Sequence, residues 1–193
     1  MRRVRILGIV IGETFEAVLA AARGGDEGAF SALWRDANPA LLRYLRVIAH
    51  EAAEDVAADT WIQVIRGLDG FRGDEAAWRA WLFTTARRRL IDDARYRARR
   101  PATPVAELPA GATPLSPDTA DLVLERLSTS AAIELVATLP RLQAEVILLR
   151  VVAGLDNEAI GRLLGRSPGA IRVAAHRGLR RLAQLLAAAG VTR

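Results

Sequence analysis

The chain has 193 residues, of which 51% are hydrophobic and 25% are charged, a composition typical of a globular protein with a buried core. It contains no Cys and only two His, which excludes disulfides, Cys-ligated zinc, thiol nucleophiles and multi-His metal sites. The formal net charge is +5 and all 27 basic residues are Arg, whose guanidinium makes paired contacts with phosphate and guanine.

The first 13 residues contain a short apolar run, Ile6–Ile11, that follows three Arg. The run is too short for a signal peptide or a bilayer span, and no small-residue cleavage site follows it. We therefore expect residues 1–13 to be an N-terminal extension and expect no membrane insertion.

Apolar residues recur at helical spacing from residue 14 to residue 100, and strand patterns are nearly absent. Gly24 and Gly25 end a first helix, Asp26 caps the next, and a helix continues after Pro39. The apolar stripes are interpreted as core: Phe15, Val18, Leu19; Phe30, Leu33, Trp34; Leu41, Leu45, Ile48; Val56, Trp61, Ile62, Val64, Ile65; and Trp78, Trp81, Leu82, Leu90.

The composition of the sequence changes after residue 100. The segment PATPVAELPAGATPLSPD holds five of the eight prolines of the chain, which favours an extended, flexible linker over a helix or a central strand. Helical periodicity then resumes near residue 121. The sequence thus predicts an all-α protein of two small domains, 14–100 and 121–190, joined by a linker at 101–120.

The positive charge is concentrated in two places. Residues 86–100 carry seven Arg and two acids, and residues 159–193 carry seven Arg and no acid, while the rest of the chain is acidic. Two basic patches on an acidic body are typical of proteins that bind polyphosphate. The alternative is two helix faces that are merely solvated.

The second basic patch has the pattern of a helix-turn-helix. Asp156 or Asn157 can cap a short helix, Gly165 suits a turn with positive φ, and Ser167 can cap the following helix. Gly161 provides a small residue where two helices cross. In the second helix Ile171, Ala174, Ala175, Leu179 and Leu182 are predicted to face inward. The outward residues suit base edges and phosphates in a major groove: Arg172, Val173, His176, Arg177 and Arg180.

Three segments in order resemble the sigma-70 family of bacterial transcription initiation factors, in its small extracytoplasmic-function (ECF) class. AEDVAADTW, residues 53–61, is similar to the acidic end of the family's second conserved region. FRGDEAAWRAWLFTTARRRLIDDARYRARR, residues 71–100, resembles its promoter-melting and −10-recognition segment. LPRLQAEVILLRVVAGLDNEAIGRLLGRSPGAIRVAAHRGLRRL, residues 139–182, resembles its −35-binding domain.

The resemblance implies a role for individual residues. Glu54, Asp55 and Asp59 correspond to acids that dock on core RNA polymerase, whose β and β′ subunits are the expected partners. The −35 bases would be met by the outward residues of the second helix in the helix-turn-helix. The −10 bases and the melted strand would be met by the following residues: Phe71, Trp78, Trp81, Arg87, Arg88, Arg95 and Arg97. The family usually has Asn where Arg88 stands.

The same resemblance implies a protein that binds promoter DNA and is held by an anti-sigma factor. The absence of Cys fits a reducing cytoplasm, and we expect a cytoplasmic protein with no cofactor, no metal and no catalytic residues. Two other functions stay open. An enzyme would use Glu54, Asp55 and Asp59, or Asp92 and Asp93, as metal ligands, but no P-loop, Gly-x-Ser-x-Gly, His-Glu-x-x-His or Gly-x-Gly-x-x-Gly motif accompanies them. A helix-turn-helix regulator that is not a polymerase subunit would explain the second basic patch but not the first.

Overall fold

Residues 12–99 and 131–188 are described in this computed structural model. The predicted linker at 101–120, most of the extension at 1–13 and the predicted domain boundaries at 100 and 121 lie outside these ranges. Within them the chain is helical and contains no strand, which confirms the all-α prediction for this part of the chain.

The helices form two sequential groups. The first group consists of α1 (Phe15–Arg23), α2 (Glu27–Ile48), α3 (Ala53–Gly67) and α4 (Glu75–Arg99). The second group consists of α5 (the helical residues 131–137), α6 (Arg141–Val151), α7 (Asn157–Leu164) and α8 (Pro168–Ala188).

The helix boundaries of the first group follow local sequence features. The Asp26 side chain accepts a hydrogen bond from the Ala29 amide at 2.7 Å and so caps α2, as predicted. The backbone N–H of Gly24 caps the end of α1, also as predicted. The apolar stretches on the two sides of Pro39 belong to one continuous helix, and Pro39 itself is exposed.

Aromatic and aliphatic side chains fill the core of the first group. Leu33, Leu41 and Leu45 of α2 are fully buried, and so are Trp78 and Phe83 of α4. Burial of each large apolar side chain stabilises the fold by about 1.5–3 kcal/mol relative to exposure. The core interpretation of most of the apolar stripes is therefore confirmed.

Three residues that we assigned to the core are instead exposed. Trp34 is 42% exposed, Ile62 is 44% exposed and Ile65 is 56% exposed. In both helices the apolar stripe is therefore wider than the face that neighbouring helices cover.

A buried ion pair connects α2 and α4. Arg79 Nη2 lies 2.8 Å from Asp36 Oδ2 and 3.0 Å from Glu75 Oε1, and the Asp36 and Arg79 side chains are mostly shielded from solvent. Burial raises the pKa of the Asp36 carboxyl above its ordinary value, although Arg79 opposes this shift. The two helices are thereby fixed in register by a contact that is polar and enclosed.

The two helical groups pack against each other. Helix α2 contacts α6, and α4 contacts α7. Buried residues of both groups form one continuous cluster, in which Tyr44 of α2 and Leu148 of α6 are both fully enclosed. The helix-turn-helix therefore lies directly on the helix that carries the first basic patch.

Candidate nucleic-acid and protein interfaces

Helices α7 and α8 form the predicted helix-turn-helix. Asp156 caps α7 by accepting a hydrogen bond from Ala159 N at 2.7 Å, which decides between the two predicted caps. Gly165 ends α7 with a φ of +66°, a conformation that glycine adopts without strain. Ser167 Oγ accepts a hydrogen bond from Ala170 N at 3.2 Å and caps α8.

The turn is tight because the chain doubles back onto α7. A Cβ atom at Gly161 would lie 2.7 Å from the carbonyl oxygen of Arg166, so only glycine fits without a backbone shift. The small residue predicted at this position is therefore required by the turn itself. It allows the Arg166 amide to donate to the Gly161 carbonyl oxygen at 2.9 Å.

One side of α8 carries the exposed residues predicted for DNA contact. Val173 is 50% exposed, and the others on this side are also exposed. None of its three Arg has a carboxylate partner within residues 12–99 and 131–188. We call this side the α8 arginine face, and it consists of Arg172, Val173, His176, Arg177 and Arg180.

The opposite side of α8 packs on α6, and there one expectation is wrong. Ile171, Ala174 and Ala175 are buried as predicted, but Leu179 is 52% exposed. The buried residue at this level is Gly178, which lies against the side chain of Ile147. Because glycine lets α8 come close to α6, the next residue is turned outward.

The aromatic residues predicted to meet the −10 bases form a packed cluster at the start of α4. The rings of Phe71 and Trp81 stack with centroids 5.0 Å apart, and Trp78 contacts both at 5.7 Å and 5.6 Å. Trp78 is 1% exposed and Phe71 is 9% exposed, so their rings contact the protein interior. Trp81 keeps part of its surface accessible.

The arginines of α4 differ in their surroundings. Arg88 and Arg95 are exposed and have no carboxylate partner in the part of the chain that the structure describes. Arg97 pairs with Asp93 one turn away, at 3.1 Å. Arg87 is half-buried, and its Nε lies 3.1 Å from Glu145 Oε1 of the second group. Of the four Arg predicted to contact phosphate, two therefore have a carboxylate partner, and for the other two the described residues provide none.

The first two turns of α3 carry the acids predicted to dock on another protein. Glu54, Asp55 and Asp59 are all exposed, and Glu54 pairs with Arg46 at 2.9 Å. The exposed side chain of Ile62 follows Asp55 and Asp59 at helical spacing and shares their side of the helix. We call Glu54, Asp55, Asp59 and Ile62 the α3 docking face. Sequence reasoning missed its apolar part because Ile62 belongs to a stripe that also contains buried residues.

Two contacts described here were not anticipated from the sequence. Glu145 is buried in the otherwise apolar run 144–149 of α6, and Asp36 is buried in α2. An acid inside a run of apolar residues is the one feature that could have indicated Glu145, because buried charges require partners. Nothing in the sequence identifies those partners.

The described residues contain neither a cluster of metal ligands nor a helix suited to a membrane. In 12–99 and 131–188, no group of three or more His, Asp or Glu residues could hold a metal ion. Over the same ranges, no helix combines the length and apolar character that crossing a bilayer requires.

Family models match both helical groups. Residues 33–100 match "Sigma-70 region 2", and residues 130–182 match "Sigma-70, region 4". The chain is 32% identical over 186 residues to the ECF RNA polymerase sigma factor SigD of Mycobacterium tuberculosis, with 93% of this chain and 87% of SigD covered. It is 34% identical over 180 residues to the ECF RNA polymerase sigma factor ShbA of Streptomyces griseus, with 88% of this chain and 93% of ShbA covered.

Two solved structures share the fold. CnrH, in complex with the cytosolic domain of CnrY, is 24% identical, with a TM-score of 0.58 and coverage of 91% of this chain and 99% of that chain. The sigma factor RpoE of Bartonella quintana, in complex with the anti-sigma factor NepR, is 24% identical, with a TM-score of 0.50 and coverage of 90% of this chain and 94% of that chain.

Proposed function

Because the chain belongs to the ECF class of the sigma-70 family of RNA polymerase sigma factors, we propose specific surfaces for each step of its action. As a sigma factor it binds core RNA polymerase and directs promoter-specific initiation of transcription. The proposal assigns polymerase docking and the −10 element to the first helical group. It assigns the −35 element to the second.

The α8 arginine face is the proposed −35 reader. It lies on the second helix of a helix-turn-helix, the element that enters the major groove in this motif. Its Arg172 and Arg177 are free to make bidentate contacts with guanine, and Val173 offers an apolar contact to a thymine methyl group. Arg180, further from the start of α8, would contact phosphate.

The −10 element and the melted strand are assigned to α4. Arg88 and Arg95 are exposed and unpaired within the described part of the chain, which suits phosphate contacts along a single strand. Phe71 and Trp78 are buried, so in this proposal they act by supporting the start of α4. Trp81, which keeps accessible surface, is the aromatic residue that would meet an unpaired base.

The α3 docking face is assigned to core polymerase. An exposed Ile beside two carboxylates that have no basic partner among the described residues combines an apolar anchor with a charged rim, as protein interfaces do. Complementary charge on the polymerase would steer the encounter, while Ile62 would contribute apolar burial. Glu54 would exchange its exposed partner Arg46 for a basic group on polymerase.

The rest of the proposal follows from this role. A sigma factor is a non-catalytic initiation factor, and we propose that this chain has no enzymatic activity and needs no cofactor. Its site of action is the cytoplasm, where promoter DNA and polymerase lie. Control by an anti-sigma factor is part of the proposal, as the family membership implies.

The observation that carries the proposal is the exposed α8 arginine face, whose Arg have no carboxylate partner in 12–99 and 131–188, present in one chain with the α3 docking face. Run-off transcription on genomic fragments, with and without added core polymerase, provides the test. We expect specific transcripts only when chain and core polymerase are combined. A regulator that is not a polymerase subunit would instead bind promoter duplex alone and would not copurify with core polymerase, and that result would overturn the proposal.

A further inference from the structure

A single buried carboxylate joins the two helical groups. Glu145 of α6 accepts a hydrogen bond from the Tyr44 hydroxyl of α2 at 2.9 Å and one from Arg87 Nε of α4 at 3.1 Å. The Glu145 side chain is 8% exposed, and Tyr44 is fully buried with its ring edge-on to Phe83. We call Tyr44, Arg87 and Glu145 the interdomain triad.

The chemistry of the triad depends on contact between the groups. Burial and the neighbouring carboxylate raise the pKa of the Tyr44 hydroxyl well above its ordinary value, so it remains a protonated donor at neutral pH. A carboxylate enclosed without partners would be strongly unfavourable, but here both of its partners belong to the other group. The triad therefore favours this packed arrangement specifically.

The packed arrangement is too small to occupy a promoter. Elements centred about 25 base pairs apart, as −35 and −10 are, lie about 85 Å apart at about 3.4 Å per base pair. Two contacting helical groups of this size are roughly 40 Å across. Here α4 even touches α7 of the helix-turn-helix, so both proposed DNA elements cannot be bound at once.

The chain between the groups is long enough for separation. Residues 100–130 could span at most about 100 Å if fully extended, at about 3.3 Å per residue. The two groups can thus reach both elements once their mutual contact is released. Release also frees Arg87, whose guanidinium is held by Glu145 in the packed form as it would be held by a phosphate.

We propose that the interdomain triad is an autoinhibitory contact, which holds the free chain in a closed form that cannot engage both promoter elements. Binding to polymerase and DNA competes with the triad, and Glu145 occupies the place of a DNA phosphate on Arg87. The existence of the closed form does not depend on what the chain does. That this form inhibits transcription rests on the proposed function.

The closed form can be tested by a distance measurement on the full chain. The sequence has no Cys, so Ala20→Cys and Ala132→Cys, at exposed positions of α1 and α5, introduce a unique pair of spin-label sites. We expect a short, narrow distance distribution in the free parent chain. In Glu145→Arg, which places a cation beside Arg87, the short distance should be lost.

Charge reversal provides the matched control. Arg87→Glu alone should also lose the short distance, and combining it with Glu145→Arg should restore it, because the ion pair is re-formed in the opposite sense. Circular dichroism checks helix content, and Glu145→Gln serves as a milder variant that should weaken the closed population in the same direction. A short distance that persists in both Glu145 variants, or a double variant that stays open, would overturn the triad as the closing contact.

The inhibitory consequence has a separate readout. At fixed, limiting core polymerase, Glu145→Arg should reach half-maximal run-off transcription at a concentration roughly 5- to 100-fold lower than the parent chain, because less free energy is spent on opening. An opened variant with unchanged transcription would overturn autoinhibition while leaving the closed form intact. If the parent gives no specific transcript with any promoter fragment, the proposed function fails and the distance measurement still decides the triad.

Discussion

Arg172 and Arg180 lie on the same face of α8, two turns apart, but we expect different effects from them. Arg172→Ala should weaken binding to the preferred −35 sequence by about 1–3 kcal/mol, since a bidentate base contact is lost. The variant should also discriminate less between bases at that position. Arg180→Ala should weaken binding to all DNA sequences alike. It should also reduce the slope of log affinity against log salt concentration by about one unit. Anisotropy titrations with matched and altered duplexes at several salt concentrations measure both. Unchanged promoter choice in Arg172→Ala would contradict the assigned face.

Asp36 gives a prediction for pH dependence. Because burial raises its pKa, the folded protein binds a proton there more tightly than the unfolded chain does. The stabilisation from this group is therefore present below the unfolded pKa of about 3.9 and is lost as the pH rises through the higher folded value. Relative to Asp36→Asn, the parent should lose free energy of unfolding between about pH 4 and neutrality. Urea titrations of both chains check this, and a relative gain by the parent would show that Arg79 outweighs burial.

Single helices and caps were largely predictable from local sequence. Asp26, Ser167 and Gly165 act on backbone groups within a few residues, so their roles follow from residue type and spacing. Exposure of Trp34, Ile62 and Leu179 was not predictable, because it depends on which helix covers which side of a stripe. The stripe shows that a helix is amphipathic but not how wide its covered face is.

The turn of the helix-turn-helix allows a matched pair of substitutions. Gly161→Ala forces a Cβ against the Arg166 carbonyl oxygen, and we expect a loss of about 1–3 kcal/mol in the free energy of unfolding. A Cβ atom in Gly169→Ala, in the first turn of α8, would meet only Ser167 Oγ at 4.0 Å, an ordinary contact, so this variant should be more stable by about 0.5–1 kcal/mol. Thermal or denaturant unfolding measures both. Equal effects of the two would show that the turn has room to adjust.

The α3 docking face can be tested by charge reversal. Replacing Glu54 and Asp55 with Arg should place like charges against a basic polymerase surface, which costs several kcal/mol when desolvated. Both side chains are exposed, so the variant should remain folded. Glu16→Arg with Glu27→Arg makes the same change in net charge elsewhere on the first group and serves as the control. Pull-down with core polymerase should fail only for the first variant; undiminished binding would remove the inferred interface.

The family resemblance indicated the fold and the function, but the sequence did not show how the two helical groups meet. Tyr44 and Glu145 are 101 residues apart, and Arg87 and Glu145 are 58 residues apart. Neither local periodicity nor charge pattern carries such pairings. Arg87 accordingly looked like one more phosphate contact, whereas in this structure it holds a carboxylate of the other group.

Cleavage between the groups separates the contribution of the connecting chain from that of the interdomain triad. The proline-rich sequence at 101–120 predicts preferential cutting there and two stable helical fragments, because prolines prevent regular backbone pairing.

In the uncut chain each helical group meets the other at an effective concentration of about 1 mM. After cutting, association becomes bimolecular, so the fragments of the parent should co-elute at high concentration and separate on dilution. Fragments of Glu145→Arg should separate at every concentration tested, because the cation at position 145 then faces Arg87. Size-exclusion chromatography across a dilution series measures this. A single resistant core through residues 101–120 would contradict the two-domain interpretation, and Glu145→Arg fragments that co-elute as tightly as the parent's would show that apolar packing alone holds the groups together.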